Sequence, residues 1–142
     1  MAKNIEKLEI MQKARILAIY LKRCVAKFNR AFKFTEGDGI ILLVNEVKDL
    51  IIEANNERNK RRSSMMIARL LTCLDKIEER TNDALDLGLL TIRQKANADI
   101  YIDAVRTSAR KWKSYYDKLS NSGVSAADEA GTSAQSATEN QD

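Results

Sequence analysis

Apolar residues recur along this chain at alternating spacings of three and four, which is the period of an amphipathic α-helix. The pattern predicts four helices in succession. The first spans about residues 5–30, the second opens at Thr35, the third begins near Ser63 or Ser64, and the fourth follows Thr91. The stripe of the fourth helix is the most regular, and its members are Ala98, Ile102, Val105, Ala109, Trp112, Tyr116 and Leu119.

Residues that start and stop helices support these boundaries. Asn4 and Thr35 are suited to cap the first and second helices. Gly88 occupies a position typical of the left-handed residue that ends a helix. Thr91 and Gln94 form a capping box that opens the fourth helix. Because the connections are short, consecutive helices are expected to run antiparallel, and the fold class is all-α, an antiparallel up-down-up-down four-helix bundle.

The stripes leave two questions open. Arg80 interrupts the stripe of the third helix, either at the rim of the core or as a paired interior charge. The first two helices also carry more apolar residues than one buried stripe needs, which indicates either self-association or a widened monomer core. These surplus residues are Ile16, Ile19, Tyr20, Ile41, Leu42 and Ile52.

The composition narrows the possible chemistry. The chain has 142 residues, no His and no Pro. Without His, a His-containing triad, a His metal site and imidazole acid–base catalysis are all excluded. Cys24 and Cys73 match no metal-binding spacing and are expected to be reduced core residues of a cytosolic protein. No motif places a nucleophile beside a base, so we expect no enzymatic activity, no cofactor, no metal and no small-molecule substrate.

Charge is divided unevenly along the chain. The net charge is +4, but residues 120–142 contain four acids and no Lys or Arg, so residues 1–119 carry +8. The sequence therefore predicts a basic four-helix bundle over residues 1–119 and a disordered acidic C-terminal tail over residues 120–142. Neither a signal peptide nor a membrane-spanning segment is predicted, and we expect a cytoplasmic protein without a membrane partner.

Basic residues form two sets at helical spacing. The first helix carries Lys22, Arg23, Lys27 and Arg30, and the fourth carries Arg106, Arg110, Lys111 and Lys113, with Tyr115 among them. The connection between the second and third helices is also basic, with Arg58, Lys60, Arg61 and Arg62. One interpretation is a surface that binds nucleic-acid phosphates, with Tyr115 stacking on a base. The other is a solvated surface whose charge has no partner.

Three short motifs occur in a characteristic order. They are FTEGD at residues 34–38, LIIEANN at residues 50–56, and LDLGLLTIRQ at residues 85–94. In this order and spacing, the sequence resembles the accessory variability determinant family of diversity-generating retroelements. It is similar as well to the related four-helix bundle proteins encoded in 23S ribosomal RNA intervening sequences. The resemblance spans about residues 8–116.

The resemblance implies a non-enzymatic accessory protein. In the retroelement branch, such bundles form a basic homopentamer that binds the element's reverse transcriptase and its template RNA. That complex supports mutagenic cDNA synthesis, which diversifies a target gene. The alternative branch, the intervening-sequence type, implies an oligomeric interaction or structural module without a reverse transcriptase partner.

Overall fold

The computed structural model describes the backbone of residues 8–129 and the side chains of residues 8–121. Within that range it contains no β-strand, and the predicted all-α class is confirmed. Four long helices follow one another: α1 (Glu9–Ala26), α2 (Asp38–Asn56), α3 (Lys60–Asp86) and α4 (Ile92–Glu129). The predicted cap Asn4 lies outside the described residues.

Each long helix packs mainly against two others. α3 packs against α2 and α4, and α1 packs against the same two helices. α4 runs antiparallel to α1. Early in α1, Lys13 Nζ donates to Ser108 Oγ at 2.9 Å, and later in α1 the ring of Tyr20 lies 5.1 Å from that of Tyr101. These pairings are compatible with the predicted bundle.

The contacts define two ends of the molecule. At the α2–α3 end, the start of α1 and the α2–α3 connection meet residues 108–116 of α4, and all of them line one cavity. At the α3–α4 end, the α3–α4 connection lies near the end of α1 and the start of α2. There a Cβ on Gly39 would be 2.7 Å from Arg80 Nη1.

The core consists of the apolar stripes that the helical period predicts. All five stripe residues of α2 are at most 1 % exposed: Ile40, Val44, Val47, Ile51 and Ala54. On α4 the stripe is buried from Ala98 to Ala109 and again at Tyr116, whereas Trp112 is half-buried and Leu119 is exposed. Cys24 and Cys73 are buried free thiols, and burial raises the pKa of both.

Of the two positions predicted for Arg80, the structure shows the one at the rim of the core. Arg80 is exposed, and its guanidinium lies over Gly39 of α2. The interior position of that turn belongs to Thr81, whose side chain is fully buried. Its hydroxyl donates to Ile77 O at 2.9 Å, so the buried polar group is satisfied within the helix.

The start of the second helix differs from the prediction. α1 ends at Ala26, and a helical turn at Arg30–Phe32 leads through a wider π-helical turn at Lys33–Gly37 into α2. Thr35 is therefore inside this helical path and caps nothing; its hydroxyl donates to Phe32 O at 3.3 Å. The physical reason is packing, because Gly37 is buried against Val25 and Phe28.

The third helix begins earlier than predicted. Asn59 is its N-cap, and Asn59 Oδ1 accepts from the backbone N–H of Arg62 at 3.1 Å. Ser63 and Ser64, predicted to begin the helix, are buried inside its first turns. Ser63 Oγ donates back to Ala54 O at 3.0 Å, which ties the start of α3 to the end of α2.

The predicted α3–α4 connection is confirmed in detail. Gly88 has φ of 76°, and the backbone N–H of Leu89 donates to Ala84 O at 2.8 Å, as in a Schellman motif. Thr91 and Gln94 form the predicted capping box. Gln94 N–H donates to Thr91 Oγ1 at 3.0 Å, and Thr91 N–H donates to Gln94 Oε1 at 2.9 Å.

At the C-terminal end, α4 continues past residue 119 to Glu129. The disorder predicted for residues 120–142 stays a prediction. Residues 120–129 contain no Pro and include two adjacent alanines, so the backbone can stay helical without an apolar stripe. The remaining part of the predicted tail, residues 130–142, lies outside the described residues.

The surplus apolar residues separate into two groups. Tyr20 and Ile41 are half-buried and pack against the core, as a widened core requires. Ile16, Ile19, Leu42 and Ile52 are instead between 40 % and 70 % exposed. A widened core therefore accounts for only part of the surplus.

Candidate nucleic-acid interface

The basic set of the first helix lies toward the α3–α4 end. Arg23 is in the last turn of α1, Lys27 follows the helix, and Arg30 begins the next helical turn. Their spacing predicts that the three share one helix face. α1 ends at Ala26, however, so Lys27 and Arg30 lie beyond the helix that holds Arg23. Arg23, Lys27 and Arg30 are exposed and Lys22 is half-buried. No ion pair joins any of the four to another described residue.

The basic set of the fourth helix divides by environment. Arg110 and Lys111 are exposed on α4. Lys113 is half-buried, and its Nζ pairs with Asp117 Oδ2 at 2.9 Å. Arg106, in contrast, is only 13 % exposed at its side chain. Four residues at helical spacing therefore include two exposed cations, one paired cation and one that is nearly buried.

Arg106 joins α4 to α3 through carboxylates. Its Nη2 lies 2.8 Å from Asp75 Oδ1 and 2.7 Å from Glu78 Oε1, and its Nη1 lies 2.6 Å from Asp103 Oδ1. Burial by itself would lower the pKa of Arg106, but the hydrogen bonds to Glu78 and Asp75 raise it. A phosphate would have to displace three carboxylates to reach this guanidinium.

The two predicted sets are at opposite ends of the molecule. Lys13 on α1 is level with Ser108, close to Arg110, whereas Lys27 follows nearly four helical turns later. At 1.5 Å per residue, Lys27 is about 20 Å along the helices from the level of Ser108. The structure thus gives two separate basic patches instead of one.

The α2–α3 connection adds cations to the α4 set. Lys60 Nζ lies 5.1 Å above the ring of Tyr116, and Ser64 Oγ donates to Asp117 Oδ1. Arg61 lines a second cavity together with Asp117. The cations of the connection and of the end of α4 therefore share one end of the protein.

Local hydrogen bonds fix the conformation of this connection. Glu57 Oε2 accepts from the backbone N–H of Asn59 at 3.1 Å, and Asn59 caps α3. Arg58, Arg61 and Arg62 consequently project from a defined turn and are exposed. The sequence shows that this connection is basic, but the predicted site residues were confined to the first and fourth helices. The expected antiparallel pairing of α3 with α4 is the signal that would have added the connection to the site.

Other kinds of site have no support in the described part of the chain. Across residues 8–121, whose side chains the structure describes, no three side chains of His, Cys, Asp or Glu come together as metal ligands would. Nor does any helix in that range combine the length and apolarity that crossing a membrane requires. No protein-family model matches the chain, and no curated protein matches it with significant similarity.

Proposed function

We propose that this chain is a non-enzymatic accessory protein of a diversity-generating retroelement. As an up-down-up-down bundle assembled into a homopentamer, it would bind the element's reverse transcriptase and template RNA in the cytoplasm and support mutagenic cDNA synthesis. The observation that carries the RNA-binding part is the meeting of two basic segments at the α2–α3 end. The reverse transcriptase and the pentamer rest on the sequence resemblance.

The cations at the α2–α3 end suit a phosphate backbone. Arg61 and Arg62 lie in the first turn of α3, where the helix dipole also favours anions. Arg110 and Lys111 are exposed on the neighbouring part of α4. These side chains form the surface that we expect an RNA to contact first. Arg106 is left out of it because three carboxylates already hold its charge.

The affinity for RNA should fall steeply with salt. If about five phosphates are contacted, the plot of log affinity against log salt has a slope of roughly −4.5 for a duplex and roughly −3.5 for a single strand. Fluorescence anisotropy with a labelled template RNA between 50 and 200 mM salt, about the range over which such contacts weaken strongly, measures this slope. A flat salt dependence would contradict a phosphate-binding surface.

Paired charge reversals test where the RNA binds. Arg110→Glu with Lys111→Glu alters the α2–α3 end, and Lys27→Glu with Arg30→Glu alters the other patch by the same net charge. We expect the first pair to weaken RNA binding more, and to make the salt slope shallower by about 1.4 for a single strand. Equal losses would indicate a non-specific charge effect. Unchanged binding after reversing Lys27, Arg30, Arg110 and Lys113 together would refute the basic surface.

A second candidate function is the intervening-sequence type, a protein-interaction or structural module without a reverse transcriptase. The exposed apolar side chains of α1 and α2 favour it, because they suit a protein partner better than RNA. Co-expression with the element's reverse transcriptase separates the two candidates. Co-purification that persists after nuclease treatment, together with salt-sensitive RNA binding, supports the retroelement function. Self-assembly without either partner supports the second candidate.

A further inference from the structure

A cavity at the α2–α3 end has the size of a ligand site. Its volume is about 650 Å³, and it lies between the start of α1, the end of α2, the start of α3 and residues 108–116 of α4. Binding sites for small organic groups typically have volumes of about 300–1,000 Å³. Since four helices contribute to its wall, the cavity depends on the complete fold.

Aromatic side chains of α4 make one wall of this cavity. Tyr115 is 58 % exposed, and Trp112 is half-buried beside it. Both pack against the buried Tyr116, with ring centroids 5.8 Å and 5.3 Å from it. An exposed ring that packs against another ring is the kind of surface on which an unpaired base stacks, and any of the bases can do so.

Two lysines give the cavity its charge. Lys60 and Lys111 both line it, and Lys60 Nζ is held 5.1 Å from the Tyr116 ring. Glu9 also lines the cavity, but its carboxylate is paired with Lys13 Nζ at 2.6 Å. The cavity therefore combines an aromatic wall with two cations, which is the combination that recognises a planar base carrying a phosphate.

We infer that this cavity binds one unpaired nucleotide of a single-stranded nucleic acid. The base stacks against Tyr115 and Trp112, and the phosphate lies near Lys60 and Lys111. The exposed Arg61 follows Lys60 directly in α3, where it can meet the phosphate of a neighbouring nucleotide. The inference rests on the proposed function, to which it adds a place where the strand is held by a base.

Trp112 supplies the measurement, because it is the only tryptophan of the chain and lines the cavity. Its fluorescence is followed while the full-length protein is titrated with a short oligoadenylate, with an abasic oligonucleotide of the same length and charge, and with adenosine monophosphate. We expect the oligoadenylate to quench Trp112 and to bind about tenfold more tightly than the abasic strand. Equal affinity for the two strands overturns the inference.

Variants assign the effect to the cavity. Tyr115→Ala and Lys111→Gln should each reduce the preference for the base-containing strand severalfold. Leu119→Ala and Lys118→Gln, on the same helix but outside the cavity lining, should leave it unchanged. Because the tested side chains are exposed, circular dichroism should show all four variants folded. An unchanged preference in the two cavity variants overturns the inference.

The remaining outcomes separate this inference from the proposed function. Tight, salt-sensitive binding of the template RNA without any base preference leaves the proposed function intact and overturns the nucleotide cavity. If adenosine monophosphate binds as tightly as the oligoadenylate, the cavity is a site for free nucleotides. That result overturns the inference that it holds a nucleotide of a single strand. Base-dependent quenching with oligonucleotides but no binding of the template RNA supports the cavity and contradicts the proposed function.

Discussion

Gly37 and Gly39 lie close together before and within the start of α2, but they meet different neighbours. A Cβ on Gly37 would lie 2.7 Å from Val25 Cγ1 and 3.5 Å from Phe28, both in the core. A Cβ on Gly39 would lie 2.7 Å from the guanidinium of Arg80, which is the far end of an exposed side chain. The core around Gly37 cannot give way easily, whereas Arg80 can change rotamer.

The two alanine variants should therefore differ in stability. Gly37→Ala is expected to lower the free energy of unfolding by about 1–3 kcal/mol because it overpacks the core. Gly39→Ala should cost little, since alanine favours a helix over glycine by about 1 kcal/mol. Urea unfolding monitored by circular dichroism measures both. Equal destabilisation would contradict the tight contact of Gly37 with Val25.

Single residues also show which buried positions the sequence predicts and which it does not. The apolar stripe of α2 and that of α4 as far as Ala109 were predicted correctly, because the helical period decides which face is buried. The buried Lys95, which is 7 % exposed, was not predicted. Its Nζ donates to Thr81 Oγ1 at 2.9 Å and to Asp99 Oδ1 at 2.6 Å. Such a lysine is buried because a neighbouring helix supplies acceptors, and one helix's own sequence does not contain that information.

At the scale of elements, adjacent serines attach the start of α3 in two ways. Ser63 donates to the backbone oxygen of Ala54 on α2, whereas Ser64 donates to the carboxylate of Asp117 on α4. The Ser64 hydrogen bond, and after it the contact with Lys113, lowers the pKa of Asp117 below its ordinary value near 3.8. Only the second attachment therefore involves a group that titrates.

This difference predicts a pH-dependent effect. A carboxyl with a lowered pKa in the folded state stabilises the fold above its unfolded pKa, and this stabilisation is lost as pH falls through the folded pKa. Ser64→Ala should cost about 1 kcal/mol at neutral pH and less in acid. NMR titration should show the pKa of Asp117 raised in the variant. Ser63→Ala is the control, and the same pH dependence in both variants would contradict the argument.

Arg106 is the strongest polar connection between α3 and α4. Because its removal leaves Asp75, Glu78 and Asp103 close together without a cation, Arg106→Gln should lower the free energy of unfolding by about 1–3 kcal/mol. The exposed Arg110 is the matched control, and Arg110→Gln should change stability by less than about 0.5 kcal/mol. Urea unfolding measures stability, and anisotropy with RNA measures binding. We expect Arg110→Gln to weaken RNA binding more than Arg106→Gln does. Equal stability of the two variants would refute the structural role of Arg106.

Element boundaries were predictable where local chemistry sets them. Gly88 ends α3 and the Thr91–Gln94 box opens α4 through contacts within a few residues, and both were predicted. The start of α2 was not. Its π-helical turn depends on Gly37 packing against Val25 and Phe28 of the preceding segment, so Thr35 looked like a cap although the helical path had already begun.

For the whole molecule, the arrangement of charge depends on packing. The sequence places one basic set on the first helix and one on the fourth, but it does not say which basic segments become neighbours. In the structure, the later part of α4 lies beside the α2–α3 connection, and Lys27 of the α1 set is about 20 Å along the helices from the level of Ser108. The antiparallel order predicts this neighbourhood, because the start of α3 then lies beside the later part of α4. The ion pairs of Arg106 with α3 are not predictable in that way.

The outer faces of α1 and α2 carry the other large-scale feature. Ile16 and Ile19 are 52 % and 47 % exposed one turn apart on α1, and Leu42 is 70 % exposed on α2. Side chains of this kind, repeated on neighbouring helices, are expensive to leave in water and suit a contact with another protein. The proposed function supplies that partner as further copies of the chain.

The assembly is tested directly by sedimentation. Five copies of the 16.0 kDa chain should sediment as one species of about 80 kDa at micromolar concentration. Ile16→Asp with Ile19→Asp should release a folded monomer, because two charges at the interface would lose their hydration. Ile92→Asp is the control, since Ile92 is 80 % exposed at the start of α4 and belongs to neither α1 nor α2. A wild-type protein that sediments as a monomer contradicts the assembly. A double variant that still sediments at the mass of the assembly shows that the interface lies elsewhere.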